Sequence, residues 1–142
     1  MNEILVVFWS GTGNTEDMAL AISEGIKNAG FAAVVKNVSE ISPEEVNKYN
    51  CIVFGCPSMG DEVLEEDEFE PFFAVVEGLI EGKKIALFGS YGWGDGQWMK
   101  DWQDRVTRSG AQLFSEGLII NESPDEEGLE KCRIFGGGFV TF

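Results

Sequence analysis

Histidine is absent from the sequence, and basic side chains are few: 10 Lys and Arg stand against 25 Asp and Glu, a formal net charge of −15. Without histidine the chain lacks the usual general base, the usual partner of a serine or cysteine nucleophile, and the commonest metal ligand. Hydrolytic chemistry is disfavoured on that ground. The negative excess repels nucleic acid and anionic membrane and favours partners with a basic face, although solubility alone would also explain it. Cysteine is scarce too. Cys51, Cys56 and Cys132 have neither an even count nor close CxxC spacing, so a disulfide scaffold or a structural zinc site is not expected, and all three read as buried, reduced thiols. Long apolar runs are missing. Ile4-Leu5-Val6-Val7-Phe8-Trp9 is far too short to span a bilayer, and Met1-Asn2-Glu3 before it lacks the basic region of a signal peptide. The expectation is a cytoplasmic protein.

What remains is an ordinary folded chain. The 142 residues suit one domain over 1–142, and 44% hydrophobic with 25% charged residues are globular values. No internal repeat or low-complexity segment interrupts it.

The organising stretch is Ser10-Gly11-Thr12-Gly13-Asn14-Thr15, placed between that apolar run and a helical pattern. A buried strand entering a glycine-containing turn that opens a helix aims several backbone N–H groups and the positive helix end at one spot, which suits an anion. Ser10, Thr12, Asn14 and Thr15 add short side-chain donors. The nucleoside-triphosphate loop fits poorly, because no lysine follows until Lys27. The dinucleotide fingerprint also fits poorly, lacking a third glycine and an acid ending the second strand, where Asn37 stands. A single phosphate held by neutral donors remains, hence a mononucleotide, although such a turn by itself can be only a tight connection.

Along the chain, Thr15, Met18, Ala19, Ile22, Ile26 and Ala29 recur at helical spacing before Gly30, and residues 31–38 are rich in β formers. Ser42-Pro43-Glu44-Glu45 starts a brief helix. Cys51-Ile52-Val53-Phe54-Gly55 and Lys84-Ile85-Ala86-Leu87-Phe88 are continuous apolar strands, the mark of strands covered on both faces in a parallel sheet. Phe69, Phe72, Phe73, Val76 and Ile80 form one helix face, and Trp98, Trp102 and Val106 another. Residues 111–121 read as one unbroken fifth strand. A last helix starts near Pro124 and is expected to fray or end at Gly136-Gly137-Gly138, which are poor helix formers. The alternation predicts an α/β doubly wound sandwich: a five-stranded parallel sheet with helices on both faces. Its ligand belongs at the carboxyl ends of the strands.

Three loops meet there: residues 10–15, 57–62 and 90–96. Cys56-Pro57-Ser58-Met59-Gly60-Asp61-Glu62 offers a soft thioether beside a glycine turn, and Ser90-Tyr91-Gly92-Trp93-Gly94-Asp95-Gly96 suspends aromatic rings among glycines. Met59 or Trp93 taken singly could be core filler. Together, facing a phosphate cradle, they read as the two faces of a flat-ring site. Gly60 occupies the first central position of the turn 59–62, where a type II′ geometry requires positive φ.

Ser-Gly-Thr-Gly-Asn-Thr after strand one, Met-Gly-Asp-Glu after strand three, Glu70-Pro71-Phe72, and Phe88-Gly89-Ser90-Tyr91-Gly92-Trp93-Gly94-Asp95-Gly96 together resemble the flavodoxins, specifically the short-chain clostridial type, over essentially the whole chain. The resemblance implies a flavodoxin-like fold, with the five strands in the order 2-1-3-4-5, and one-electron transport by non-covalently bound FMN, with no bond chemistry by protein residues. By the same resemblance, residues 10–15 bind the FMN phosphate, Met59 and Trp93 cover the two flavin faces, and Glu62 accepts from the ring's N3 side. Ser90, Gly92, Gly94 and Asn121 reach the phosphate, ribityl chain or ring edge, with Pro57, Ser58, Asp61, Tyr91 and Asp95 in the same loops. It also implies a flip of the Gly60 peptide on reduction. Expected partners are basic-faced redox proteins in transient complexes, with no nucleic acid, no membrane and a monomeric carrier. Asp61, Glu62, Glu65, Glu66, Asp67, Glu68, Glu70 and Asp95 are expected to surround the ring with no lysine or arginine in the loops. An FMN-dependent NAD(P)H quinone or azo reductase on the same fold is the alternative, but the short connections leave no obvious substrate pocket. A phospho-receiver domain fails, since Ser10, Pro57 and Asn121 occupy its acid, phosphoacceptor and lysine positions.

Overall fold

The computed structural model describes residues 3–142; Met1 and Asn2 lie outside the described residues. In chain order the elements are β1 (Glu3–Phe8), α1 (Asn14–Asn28), β2 (Ala32–Asn37), α2 (Pro43–Val46), β3 (Cys51–Gly55), α3 (Phe69–Val76), β4 (Lys84–Tyr91), α4 (Gln97–Arg108), β5 (Gln112–Leu113), β6 (Leu118–Asn121) and α5 (Glu126–Phe139). The sheet is parallel and runs β2-β1-β3-β4-β5, with β6 also paired to β4. The two-residue periodicity of a strand sorts β1 between two cores. Leu5 and Val7 face Ile52, Phe54, Phe69, Phe73, Trp98 and Trp102 on one side, while Ile4, Val6 and Phe8 face Met18, Ile22, Ile26 and Phe139 on the other.

Local chemistry sets the element ends where the sequence predicts them. Ser42 accepts from the Glu45 N–H at 3.3 Å, and Glu45 reaches back to the Ser42 N–H, a reciprocal cap that starts the four-residue α2. Gly30 follows α1 with φ 93, the left-handed conformation that ends many helices.

Two expectations need correction. Residues 111–121 are not one strand: β5 and β6 both lie on β4, separated by residues 114–117. Phe114 turns into an aromatic cluster with Phe135 and Phe139, ring centroids 5.4 and 5.6 Å away, and Ser115 takes φ 55. The Gly117 N–H leaves the ladder and donates to Gln103 Oε1 of α4 at 2.7 Å. The strand breaks because its hydrogen bonds and its phenylalanine both find partners among helices.

Nor does α5 end at its glycines; it runs through them to Phe139. A Cβ on Gly136 would stand 2.2 Å from the backbone oxygen of Ile22, and one on Gly25 would stand 2.0 Å from that of Arg133. These glycines let α1 and α5 approach backbone to backbone, and the packing outweighs their poor helix propensity. Arg133 adds ion pairs to Glu24 across the helices and to Glu130 on its own helix.

Candidate functional site

The carboxyl ends of β1, β3 and β4 open on a cavity of about 250 Å³. From the cradle, Ser10, Gly11, Thr12, Asn14 and Thr15 line it; from the loop after β3, Pro57, Ser58 and Met59 do; and β4 contributes Ser90 and Tyr91, followed by Gly92. Gly13 starts α1 at φ 98, a conformation that a side chain would strain, and the helix begins without a side-chain cap on its own Gly13. Ser10 Oγ instead accepts from the N–H groups of Gly13 at 3.1 Å and Glu16 at 3.3 Å. Thr15 Oγ1 and Ser90 Oγ meet at 2.8 Å in a buried pair that ties the head of α1 to the end of β4. The cradle is thus a set of neutral hydroxyls and a helix N-terminus, the donor chemistry a phosphate monoester requires.

Gly13, Gly60, Asp61, Glu62, Trp93, Gly94 and Asp95 lie in the same three loops without lining the cavity. Trp93 is 62% exposed, and Met59, which does line the cavity, is 37% exposed, so both offer apolar surface to solvent. Gly60 takes φ 52, as expected, but the turn closes one residue later than predicted, because Met59 and Val63 exchange backbone hydrogen bonds of 2.8 and 2.9 Å. Gly60, Asp61 and Glu62 are therefore a three-residue hairpin loop, and Glu62 itself takes φ 59. The Glu62 carboxylate accepts from the Gln97 N–H at 2.8 Å, capping α4 from another loop, and it lies against Gly94. Asp95 is exposed two residues before that helix.

Asn121 lies outside the cavity, its Nδ2 donating to the Tyr91 carbonyl at 3.2 Å. The next residue, Glu122, lines the cavity instead; its N–H donates to the same carbonyl at 2.7 Å and its φ is 56. A left-handed residue after the strand reverses which side chain turns inward, and a glutamate gives no sequence signal for that conformation. Trp9 is the second lining residue that sequence reasoning missed, since it reads as the last member of an apolar strand.

The acidic rim is smaller than expected. Glu65 is only 6% exposed, and its carboxylate accepts from the N–H groups of Asp67, Glu68 and Phe69 at 2.8–2.9 Å. Burial alone would raise its pKa, but those three backbone donors hold it below the ordinary carboxylate value. Glu70 is also not free: Arg105 of α4 donates to it in a two-pronged pair and to Glu77 as well. Burial works against the guanidinium charge, and the hydrogen bonds to Glu77 and Glu70 more than restore it. Asp61, Glu66, Asp67, Glu68, Asp95 and Glu122 remain exposed. Cys56 follows β3 directly, its Sγ accepting from the Glu65 N–H at 3.3 Å, and burial pushes this thiol well above its ordinary pKa.

The flavodoxin family model matches residues 6–136. The chain belongs to the flavodoxin family. It is 47% identical to a flavodoxin of Clostridium beijerinckii over 131 residues, covering 92% of this chain and 94% of that one. The flavodoxin of Megasphaera elsdenii is 43% identical, with 92% and 93% covered. Among solved structures, the solution structure of two-electron reduced Megasphaera elsdenii flavodoxin superposes with a TM-score of 0.88 at 38% identity, covering 98% of this chain and 99% of that one. The resemblance to short-chain flavodoxins therefore holds, and with it the function: an FMN-binding electron carrier and not an enzyme. The donor set fits the cofactor, since the cradle suits one phosphate and the cavity opens between the loops that carry Met59 and Trp93. Among the described residues, no helix is long and apolar enough to cross a membrane.

Proposed function

We propose that FMN binds with its phosphate in the cradle of residues 10–15 and its ring between the loops that carry Met59 and Trp93. The observation that supports this most strongly is the convergence of the neutral cradle, Pro57 to Met59 and Ser90 to Gly92 on one cavity. Ser10, Thr12, Asn14, Thr15 and the N–H groups at the head of α1 hold the phosphate. Gly60, Asp61 and Glu62 border one side of the ring; Tyr91, Gly92, Gly94 and Asp95 border the other. Asn121 holds the Tyr91 carbonyl in place, and Glu62 steadies α4 with one carboxylate oxygen. FMN supplies the one-electron chemistry, and the chain's own residues bind, orient and shield it.

The carrier acts as a monomer in the cytoplasm, meeting redox proteins of basic surface through small, short-lived contacts. The net charge of −15 and the exposed acids Asp61, Glu66, Asp67, Glu68 and Asp95 support that partner chemistry. Releasing the bound cofactor and identifying it by mass tests the assignment. FMN at one per chain is expected; FAD, or no flavin after reconstitution with FMN, overturns it.

A further inference from the structure

Trp9 and Glu68 are 59 positions apart in the chain, and the Trp9 Nε1–H donates to Glu68 Oε1 at 2.9 Å. Trp9 leaves β1 with its backbone N–H on the Gly55 carbonyl at 3.0 Å, so its main chain is fixed by the sheet. Its ring lies against the tip of the cradle: a Cβ on Gly11 would stand 3.0 Å from Cη2 and 3.3 Å from Cζ3. Glu68 is held in turn, its N–H donating to Glu65 Oε1 at 2.8 Å, and it stands immediately before α3.

The indole therefore fills the space between the cradle and the start of α3. Ser10 Oγ holds the N–H groups of Gly13 and Glu16, but Gly11 at the tip has no side chain of its own to fix its backbone. Packing against the ring stops Gly11 from sinking toward the sheet, and the bond to Glu68 stops the ring from swinging away. Rigid support of this kind lowers the ordering cost when an anion is bound.

We propose that Trp9 is a positioning residue for the phosphate cradle and that the Glu68 carboxylate sets its orientation. The inference rests on the FMN reading above. It carries a sign opposite to simple electrostatics: an acid near a phosphate site would weaken phosphate binding by repulsion, whereas Glu68 strengthens it through the indole.

The test compares dissociation constants of oxidised FMN and of riboflavin, which leaves the cradle empty. The variants are Trp9→Phe, Glu68→Leu, Glu68→Gln and the Trp9→Phe/Glu68→Leu double. Trp9→Phe and Glu68→Leu are each expected to weaken FMN by about 2- to 10-fold, the loss of one net hydrogen bond, with riboflavin affinity nearly unchanged. The double variant should lose no more than either single one, because both remove the same contact. Glu68→Gln keeps an acceptor while shedding the charge, and should bind FMN at least as tightly as the parent. The proposal is overturned if Glu68→Leu binds FMN as tightly as the parent or tighter, if riboflavin weakens by the same factor, or if the two losses add. A parent that binds no FMN would overturn the cofactor reading and this inference with it, whereas a parent that binds FMN beside unaffected variants overturns this inference alone.

Discussion

Glu65 Oε1 accepts the backbone N–H of Phe69 at 2.8 Å, closing the head of α3 with a side chain from four residues upstream. The same carboxylate holds the N–H groups of Asp67 and Glu68, and the Glu65 N–H is on Cys56 Sγ. The acid in this loop with the least solvent contact is thus a structural cap joining the end of β3 to α3. Its hydrogen bonds favour the charged form, so the folded-state pKa lies below the ordinary value of 4.5. The stabilisation it contributes is therefore present above about pH 4.5 and is lost as pH falls through the lowered folded-state value. Glu65→Gln is expected to lower stability by about 1 to 2 kcal/mol at neutral pH, with the difference from the parent shrinking below that range. Urea midpoints at pH 7 and in the acid limb check this; an equal difference at both pH values would contradict it.

Gly136 and Gly137 are neighbours in α5 with opposite demands. A Cβ at Gly136 meets the Ile22 backbone oxygen at 2.2 Å, whereas at Gly137 the nearest atom, Gly25 O, is 3.6 Å away, an ordinary contact. Gly136→Ala should destabilise by about 1 to 3 kcal/mol through forced separation of α1 and α5. Gly137→Ala should stabilise by up to about 1 kcal/mol through helix propensity. Thermal unfolding of the two variants reads both signs, and equal shifts in the same direction would refute the packing argument.

This contrast shows where the sequence was legible. Continuous apolar strands, helical spacing and the cap at Ser42 identified the elements and layers, because each depends on local pattern; the strand order, which is not local, came with the family resemblance. In the run Gly136-Gly137-Gly138 the local signal misled at Gly136, whose value lies in a backbone contact with Ile22, more than a hundred residues away. The break at Phe114 was hidden likewise, its cause being aromatic partners and Gln103 from other elements. In the site, Ser10, Gly11, Thr12, Thr15, Ser58, Ser90 and Gly92 stand out in the sequence as glycine-loop or short hydroxyl residues, and all of them line the cavity. Glu122 and Trp9 were missed because one depends on a left-handed glutamate and the other on a ring packed beneath Gly11.

Docking charge should map to exposed acids alone. Reversing Glu66 and Asp67 to lysine is expected to slow association with a basic-faced redox partner and to flatten its salt dependence, with folding intact, because both side chains are exposed. Stopped-flow rates at two ionic strengths measure this. An unchanged rate and salt slope would place the docking face elsewhere. Reversal at Glu65 would instead report on α3 stability, and at Glu70 on the pair with Arg105.

Asp61 is exposed in the loop beside the proposed ring site and opposes added negative charge there. At roughly 10 Å and an effective dielectric of about 20 to 80, one carboxylate shifts a one-electron couple by about 20 to 70 mV. Asp61→Asn should therefore make addition of the second electron easier by that amount at low salt, and by less at high salt. A shift that did not depend on ionic strength would point to altered loop geometry in place of charge.

A spectrophotometric reductive titration of the FMN-loaded protein tests the central claim most directly. The account predicts two separated one-electron steps, the second displaced to low potential by the surrounding acids. Reduction in a single two-electron step at the potential of free flavin would contradict it.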